Sequence, residues 1–352
     1  MSANAAVELR ETEYGEWNAL VAQSPEGSIY STPEYLDALC TAAGGRFRVV
    51  AVRRGDDLAG GLALYERDTP FGTYVSPRLL LYYNGIVLRR YDTKYPSEQT
   101  ARAVETLGAL AQWIGTRRYG AVMLKCRGAL RDVRPFLVAG WRARPSYSYI
   151  VPLDNLAGQW DRVEQNLRRL VKRCERDGMT FATDGDFAEF YRLHSLTLGR
   201  RGVAEYLPAG PFERFYSGLA AQGLARLYQA RLRDGRTAAV QLVLLGAHPV
   251  SHTVSAAGDP EFNKTGAQAF LRWRTFEALA ALGYKGNDLT DAALNPVTHF
   301  KAQLGGDLDL SLVLESAPRP AYRAGVGAMH LVYQVRGAAG AAARRLLGRS
   351  RA

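Results

Sequence analysis

Two acidic residues close to the end of a short aromatic-led run, Asp288 and Asp291, are candidates for taking a proton from an amine, directly or through water, provided burial raises the carboxyl pKa. The same aspartates could simply cap a neighbouring loop. Asn263-Lys264-Thr265-Gly266-Ala267 opens an apolar helical pattern, and a helix start presents free N–H groups and a positive dipole end to a phosphate. A capped helix start with no ligand fits those residues as well. Arg200 and Tyr206 follow the helical stretch 190–198, where a guanidinium fork suits a phosphate or carboxylate, or alternatively a surface ion pair. Tyr82-Tyr83-Asn84-Gly85 reads either as the lining of a groove or as a hairpin turn. Phe300-Lys301 precedes Gly305-Gly306, while the matching place earlier in the chain has Phe136 followed by Leu137. A position that served packing alone would not need a cation in one copy only.

Other chemistries find no support. His248 and His252 stand four apart, but Pro249 and the Gly246-Ala247-His248 context point to a hairpin tip, so no metal site is expected. No G-x-S-x-G, Walker loop, C-x-x-C or H-E-x-x-H occurs.

The elements that must position these residues repeat. In the first half, 46–54 (RFRVVAVRR) and 58–65 flank Gly55-Asp56-Asp57; in the second, 224–233 and 237–245 flank Asp234-Gly235. Apolar, β-branched and aromatic runs on both sides of a Gly/Asp turn predict antiparallel hairpins. Each hairpin is followed by an amphipathic helix, over 100–117 and 267–282, and then by a strand led by Tyr119 or Tyr284. The tyrosines lie 165 residues apart and Phe136 and Phe300 lie 164 apart, a register that predicts a tandem duplication. Between the halves, 160–176 predicts one amphipathic helix stopped by Gly178, with Arg168, Arg169, Lys172, Arg173 and Arg176 on its polar face. That face is either solvated or a phosphate-facing rail.

The 352-residue chain has a formal net charge of +11, but seven arginines and no acid follow Glu315, which leaves +4 for residues 1–315. The body is thus only mildly basic, which weakens a case for broad nucleic-acid binding. The tail intersperses Met329, Leu331, Val332, Val335, Leu346 and Leu347 among its arginines, as a peripheral helix on anionic lipid or an unstructured basic end would. Three scattered cysteines, Cys40, Cys126 and Cys174, with no signal peptide and no spanning apolar run, lead to the expectation of a cytoplasmic protein, possible membrane contact being peripheral.

Several stretches in order resemble the Fem-type (FemABX) transferases and their acetyltransferase-like bacterial relatives within the GNAT superfamily. They are Ser28–Leu36 (SIYSTPEYL), 166–178 (NLRRLVKRCERDG), Phe190-Tyr191 with Thr197-x-x-Arg200-x-Gly202, and Gly283-Tyr284 with Asp288, Phe300-Lys301 and Gly305-Gly306. The resemblance spans roughly 15–315 and implies an α+β fold of two tandem GNAT-like domains, each a mixed, mostly antiparallel sheet flanked by helices. The implied division is 1–155, a linking helix at 156–180, a donor-holding domain at 181–316 and a tail at 317–352. The implied activity is N-acyl transfer, from acyl-CoA or aminoacyl-tRNA, to an amine of an anionic envelope, peptidoglycan or polysaccharide precursor. By the same likeness Lys301 would offset developing negative charge with Asp288 as the other catalytic residue, and Phe300 would pack on the donor or acyl group. Arg200, Tyr206 and Tyr83 would face the acceptor, and Lys264, Thr265, Gly266 and Ala267 the donor phosphates. The family's glycine-rich Q/R-x-x-G-x-G/A loop is reduced here to one Gly-Ala pair, which keeps open a non-catalytic binding module recruited to the membrane.

Overall fold

The computed structural model describes residues 5–77, 80–200 and 202–326. The first half runs β1 (Ala6–Glu8), α1 (Tyr14–Gln23), α2 (Pro33–Ala43), β2 (Arg46–Arg54), β3 (Asp57–Thr69), β4 (Gly72–Val75), β5 (Ile86–Leu88), α3 (Pro96–Thr116), β6 (Ala121–Lys125), α4 (Arg134–Val138) and β7 (Arg142–Pro152). Two linking helices follow, α5 (Leu156–Arg162) and α6 (Gln165–Arg176). The second half runs β8 (Thr180–Ala182), α7 (Phe187–Arg200), α8 (Ala209–Ala220), β9 (Ala225–Arg231), β10 (Thr237–Leu244), β11 (Val250–Gly258), α9 (Ala267–Ala281), β12 (Gly286–Asp288), α10 (Pro296–Gln303) and β13 (Asp307–Glu315). The hairpin–helix–strand–helix–strand order of the two halves matches, as the duplicated register predicts.

Local chemistry explains the element ends that matter for the site. Asn295 accepts from the N–H groups of Val297 and Thr298, and Pro296 occupies the first turn where its missing N–H costs nothing, so α10 starts there. Gly178 takes φ +78° just past α6 and ends it. The single helix expected over 160–176 is broken in two. Val163 and Glu164 are extended, and the Glu164 N–H is spent on the Gln303 carbonyl of α10.

The thirteen strands of the described residues join one sheet, in the order β1-β2-β3-β4-β6-β13-β7-β12-β11-β10-β9-β8 with β5 on β3. The last strand of each half is exchanged. β13 pairs with β6 of the first half, and β7 pairs with β12 of the second, while β7 and β13 run antiparallel to each other from Arg142↔Glu315 to Ile150↔Asp307. Leu314 consequently sits fully buried in the first-half core beside Leu124 and Trp141, and Val151 sits in the second-half core. A further core joins α1 and α2 of the first half to α7 and α8 of the second on one face of the sheet; α6 and α9 cover the other face of the second half. No helix of the described residues is long and apolar enough to cross a membrane. The hydrophobic tail positions from Met329 onward lie outside the described residues.

Candidate active site

Parallel strands β11 and β12 pair through only three steps, ending at His252↔Asp288. Beyond that step β11 continues to Gly258 while the other chain turns away, with Thr290 and Asp291 both held at φ +48°. The parting leaves a cleft of ≈ 620 Å³. His194, Thr197 and Tyr206 line it from the α7 face, and Arg272, Thr298 and Lys301 from the α9–α10 face, so it is a slot through the sheet. One wall carries a β-bulge: β10 residues Leu242 and Val243 oppose Ser255 and Thr253, which leaves Val254 as the extra residue on β11. A bulged residue drops out of the ladder and re-aims its peptide group, a device frequent beside active sites.

The corresponding parting in the first half, between β4 and β6, is laced shut. Asn84 donates through Nδ2 to the Met123 carbonyl (2.9 Å) and accepts the Lys125 N–H through Oδ1 (2.8 Å).

Of the residues singled out from sequence, Lys301 and Tyr206 line the slot. Lys301 is mostly buried, and its Nζ donates to the carbonyls of Thr290 and, at 2.7 Å, Asp291, so it clamps the two left-handed residues. Asp291 lines the slot and is exposed. Phe300, expected to pack on the donor or acyl group, is not among the residues lining the slot and packs against the core formed with α6 and α9. Arg200 ends α7 in solvent, outside the lining.

Asp288 departs most from expectation. It is fully buried, accepts from the Tyr83 hydroxyl (2.9 Å), the Ser148 hydroxyl and the Thr290 N–H (2.8 Å), and has His252 Nδ1 at 3.5 Å. Burial works to raise its pKa, but the neighbouring His252 and the Ser148 hydroxyl outweigh it and hold the carboxyl well below the usual range. The raised pKa expected of a general base is therefore corrected, as is the acceptor-facing place of Tyr83, which is itself buried and spends its hydroxyl on Asp288. Both belong to a polar seam that ties the halves together.

The turn at Lys264–Ala267 is held from behind by α6. Arg173 Nη2 donates to the carbonyls of Lys264 and Thr265, both at 2.6 Å, and Gly266 takes φ +95° with Leu170 against it. A Cβ on Gly266 would stand 2.8 Å from Leu170 Cβ, so glycine is required twice over, by conformation and by space. Part of the basic face of α6 is thus spent on the turn and does not form an open rail.

Two lining residues lay outside the sequence-based set. His194 is buried, has Nδ1 2.9 Å from Ser255 Oγ and leaves Nε2 without a partner. Burial lowers its pKa to about 4, so the ring is neutral at neutral pH and can present an acceptor nitrogen to the slot. Arg272 is buried in the slot wall with Nε and Nη1 unpartnered. Its signal in the sequence was a charge inside the apolar stripe of 270–276.

Buried histidines give a pH prediction. His194 is lowered to about 4, and His248, chiefly by burial and then by Arg127, to about 3. Both folded values lie below the unfolded 6.5, so the unfolded chain binds more protons between them and stability falls as pH drops through that window. At pH 5.5 each histidine should have cost about 1.4 kcal/mol relative to pH 8. Denaturant midpoints across pH 5–8 check this, and a flat profile would contradict the neutral, buried rings.

Residues 161–301 match the family described as the acetyltransferase (GNAT) domain. No curated protein matches the chain. Among solved structures, FemX is 15% identical, with 87% of this chain and 96% of that one covered at a TM-score of 0.68. A tandem GNAT protein from the clavulanic acid biosynthesis pathway is 14% identical (90% and 98% covered, TM-score 0.54). L-PGS from Bacillus licheniformis is 16% identical (88% and 97% covered, TM-score 0.51). The chain therefore shares the fold of FemX and of a tandem GNAT protein, and its second half carries the match to the acetyltransferase (GNAT) domain.

Proposed function

We propose that the second-half slot transfers an acyl or aminoacyl group by direct aminolysis to an amine on an anionic envelope, peptidoglycan or polysaccharide precursor. The observation that carries this reading is a single cleft lined from both faces of the sheet where β11 and β12 part. A donor entering on the α9–α10 side would lay its phosphates at the turn Lys264–Ala267, where the helix dipole favours negative charge. The acceptor amine would stand on the α7 side, beside Tyr206 and the unpartnered Nε2 of His194. Its lone pair attacks the donor carbonyl, the carbonyl oxygen takes up negative charge, and collapse breaks the thioester or ester bond, the departing thiolate or alkoxide taking up the proton that the amine nitrogen gives off. The Val254 bulge supplies a peptide N–H for that oxyanion, and His194 accepts a hydrogen bond from the amine.

Acyl-CoA and aminoacyl-tRNA both fit as co-substrate, and the modest +4 of residues 1–315 favours the thioester. The division into 1–155, 156–180, 181–316 and 317–352 belongs to this reading, with the laced first half as platform and the tail as contact with an anionic inner membrane face. Calorimetry with acetyl-CoA and with bulk tRNA tests it, on the full chain and on the chain lacking 317–352. Acetyl-CoA should bind both forms, and Gly266→Val should weaken it about tenfold by displacing Leu170 from the turn. A wild-type chain that binds neither donor would favour the non-catalytic binding module.

A further inference from the structure

Arg272 is 6% exposed, its guanidinium makes no hydrogen bond or ion pair with any described residue, and Nε and Nη1 are occluded. Leaving a buried charge without a partner is costly, and proteins tolerate it chiefly where a ligand supplies the counter-charge. Among the described residues Asp291 is the one acid that lines the slot, and it is exposed and forms no ion pair with Arg272. Burial lowers the arginine pKa to about 10, which still leaves it charged at neutral pH. The duplication sharpens the point: at the 165-residue offset Arg272 corresponds to Leu107, which is fully buried in the first-half core. A packing position at this place takes leucine; the second half spends an arginine there, inside the slot.

Resting on the acyl-transfer reading above, we propose that Arg272 recognises a carboxylate carried by the acyl group itself, making the preferred donor a dicarboxylic half-thioester or an acidic aminoacyl ester. Donor phosphates are the competing source of negative charge. They would sit at the first turn of α9, and Arg272 lies five residues further on, about 7–8 Å along the helix. The planar fork matches a carboxylate. Two further unpartnered groups in the same lining, His194 Nε2 and Thr197 Oγ1, leave room for polar contacts around the acyl chain.

The test uses the full chain and Arg272→Met, which keeps the aliphatic bulk and removes the charge. Without ligand the variant should melt at or above the wild-type temperature, because the charge it loses has no protein partner. A loss of several degrees, with no ligand effect lost, would make Arg272 structural and overturn the proposal. Succinyl-CoA should bind the wild type at least tenfold more tightly than acetyl-CoA, and Arg272→Met should abolish that difference while leaving acetyl-CoA affinity unchanged. Equal loss of both esters in the variant would assign the arginine to the donor phosphates and overturn the proposal. Should neither ester bind the wild type, the donor reading fails separately. In that case free succinate and inorganic phosphate decide: thermal stabilisation by succinate that vanishes in Arg272→Met sustains a carboxylate site. Stabilisation by phosphate alone, or none by either anion, overturns it.

Discussion

Replacing Asp288 by alanine is expected to destabilise the fold by about 3–5 kcal/mol, the usual cost of removing one member of a buried, hydrogen-bonded charged cluster. The carboxylate satisfies the Tyr83 hydroxyl, the Ser148 hydroxyl and the Thr290 N–H at once, and Tyr83 and Ser148 are buried away from water. Each buried donor left unpaired costs about 1–3 kcal/mol, which is why the alanine variant should be worse than any change to a single donor. Tyr83→Phe removes one donor and leaves the carboxylate with its other partners, so it should cost about 1–1.5 kcal/mol. Asp288→Asn keeps one carbonyl acceptor and should fall between the two. Urea midpoints of the three variants check the ranking. An Asp288→Asn protein with wild-type stability and lost turnover would restore the carboxylate to a proton-transfer role.

The seam also sets how the molecule should melt. Tyr83 comes from the first half, Ser148 from exchanged strand β7, and Asp288 and Thr290 from the second half. With β7 and β13 each hydrogen-bonded into the sheet of the opposite half, neither half can lose its structure without stripping a strand from the other. A single unfolding transition follows, in which damage at Asp288 is felt by both halves.

Much of this architecture was legible in the residues. The hairpins at 46–65 and 225–244, the helix opening at Ala267 and the turn at Gly178 follow from local apolar periodicity and from glycines that only a turn explains. The strand exchange was not legible, because β7 and β13 are copies of one another and their local patterns fit either sheet equally well. Asp288 misled for a related reason: an aspartate at a strand end reads alike in a cleft and in a seam, and the difference is made by Tyr83, more than two hundred residues away. Phe300 and Lys301 illustrate how finely a helix sorts neighbours, one turned to the core and the other to the slot. His194 and Arg272 went unseen because a polar group in an apolar stripe is ambiguous until its burial and lack of partners are known.

Lys301→Ala is expected to lower kcat by about 10²–10³, the range for losing one preorganised group that stabilises developing negative charge. Its ammonium has two tasks that the structure joins in one place. It places a positive charge in the slot wall, and through the carbonyls of Thr290 and Asp291 it holds the left-handed turn by which the β12 chain swings away from β11. Strained non-glycine residues persist only where neighbours over-determine them, so loss of the clamp should let this turn relax and narrow the slot. Lys301→Met separates charge from packing, since it keeps the stem that fills the helix face and deletes only the donor. Turnover as low in Lys301→Met as in Lys301→Ala, with little change in KM, would identify the charge as what matters. Recovery in Lys301→Arg to within about tenfold of wild type would agree, because a cation at that point can still serve the carbonyls. Full activity in Lys301→Met would instead reduce the residue to filler, and the oxyanion would then depend on the Val254 bulge alone. Measured together with the Asp288 series, these variants separate the residue that shapes the slot from the one that joins the halves: the first should move kcat far more than stability, and the second should move stability first.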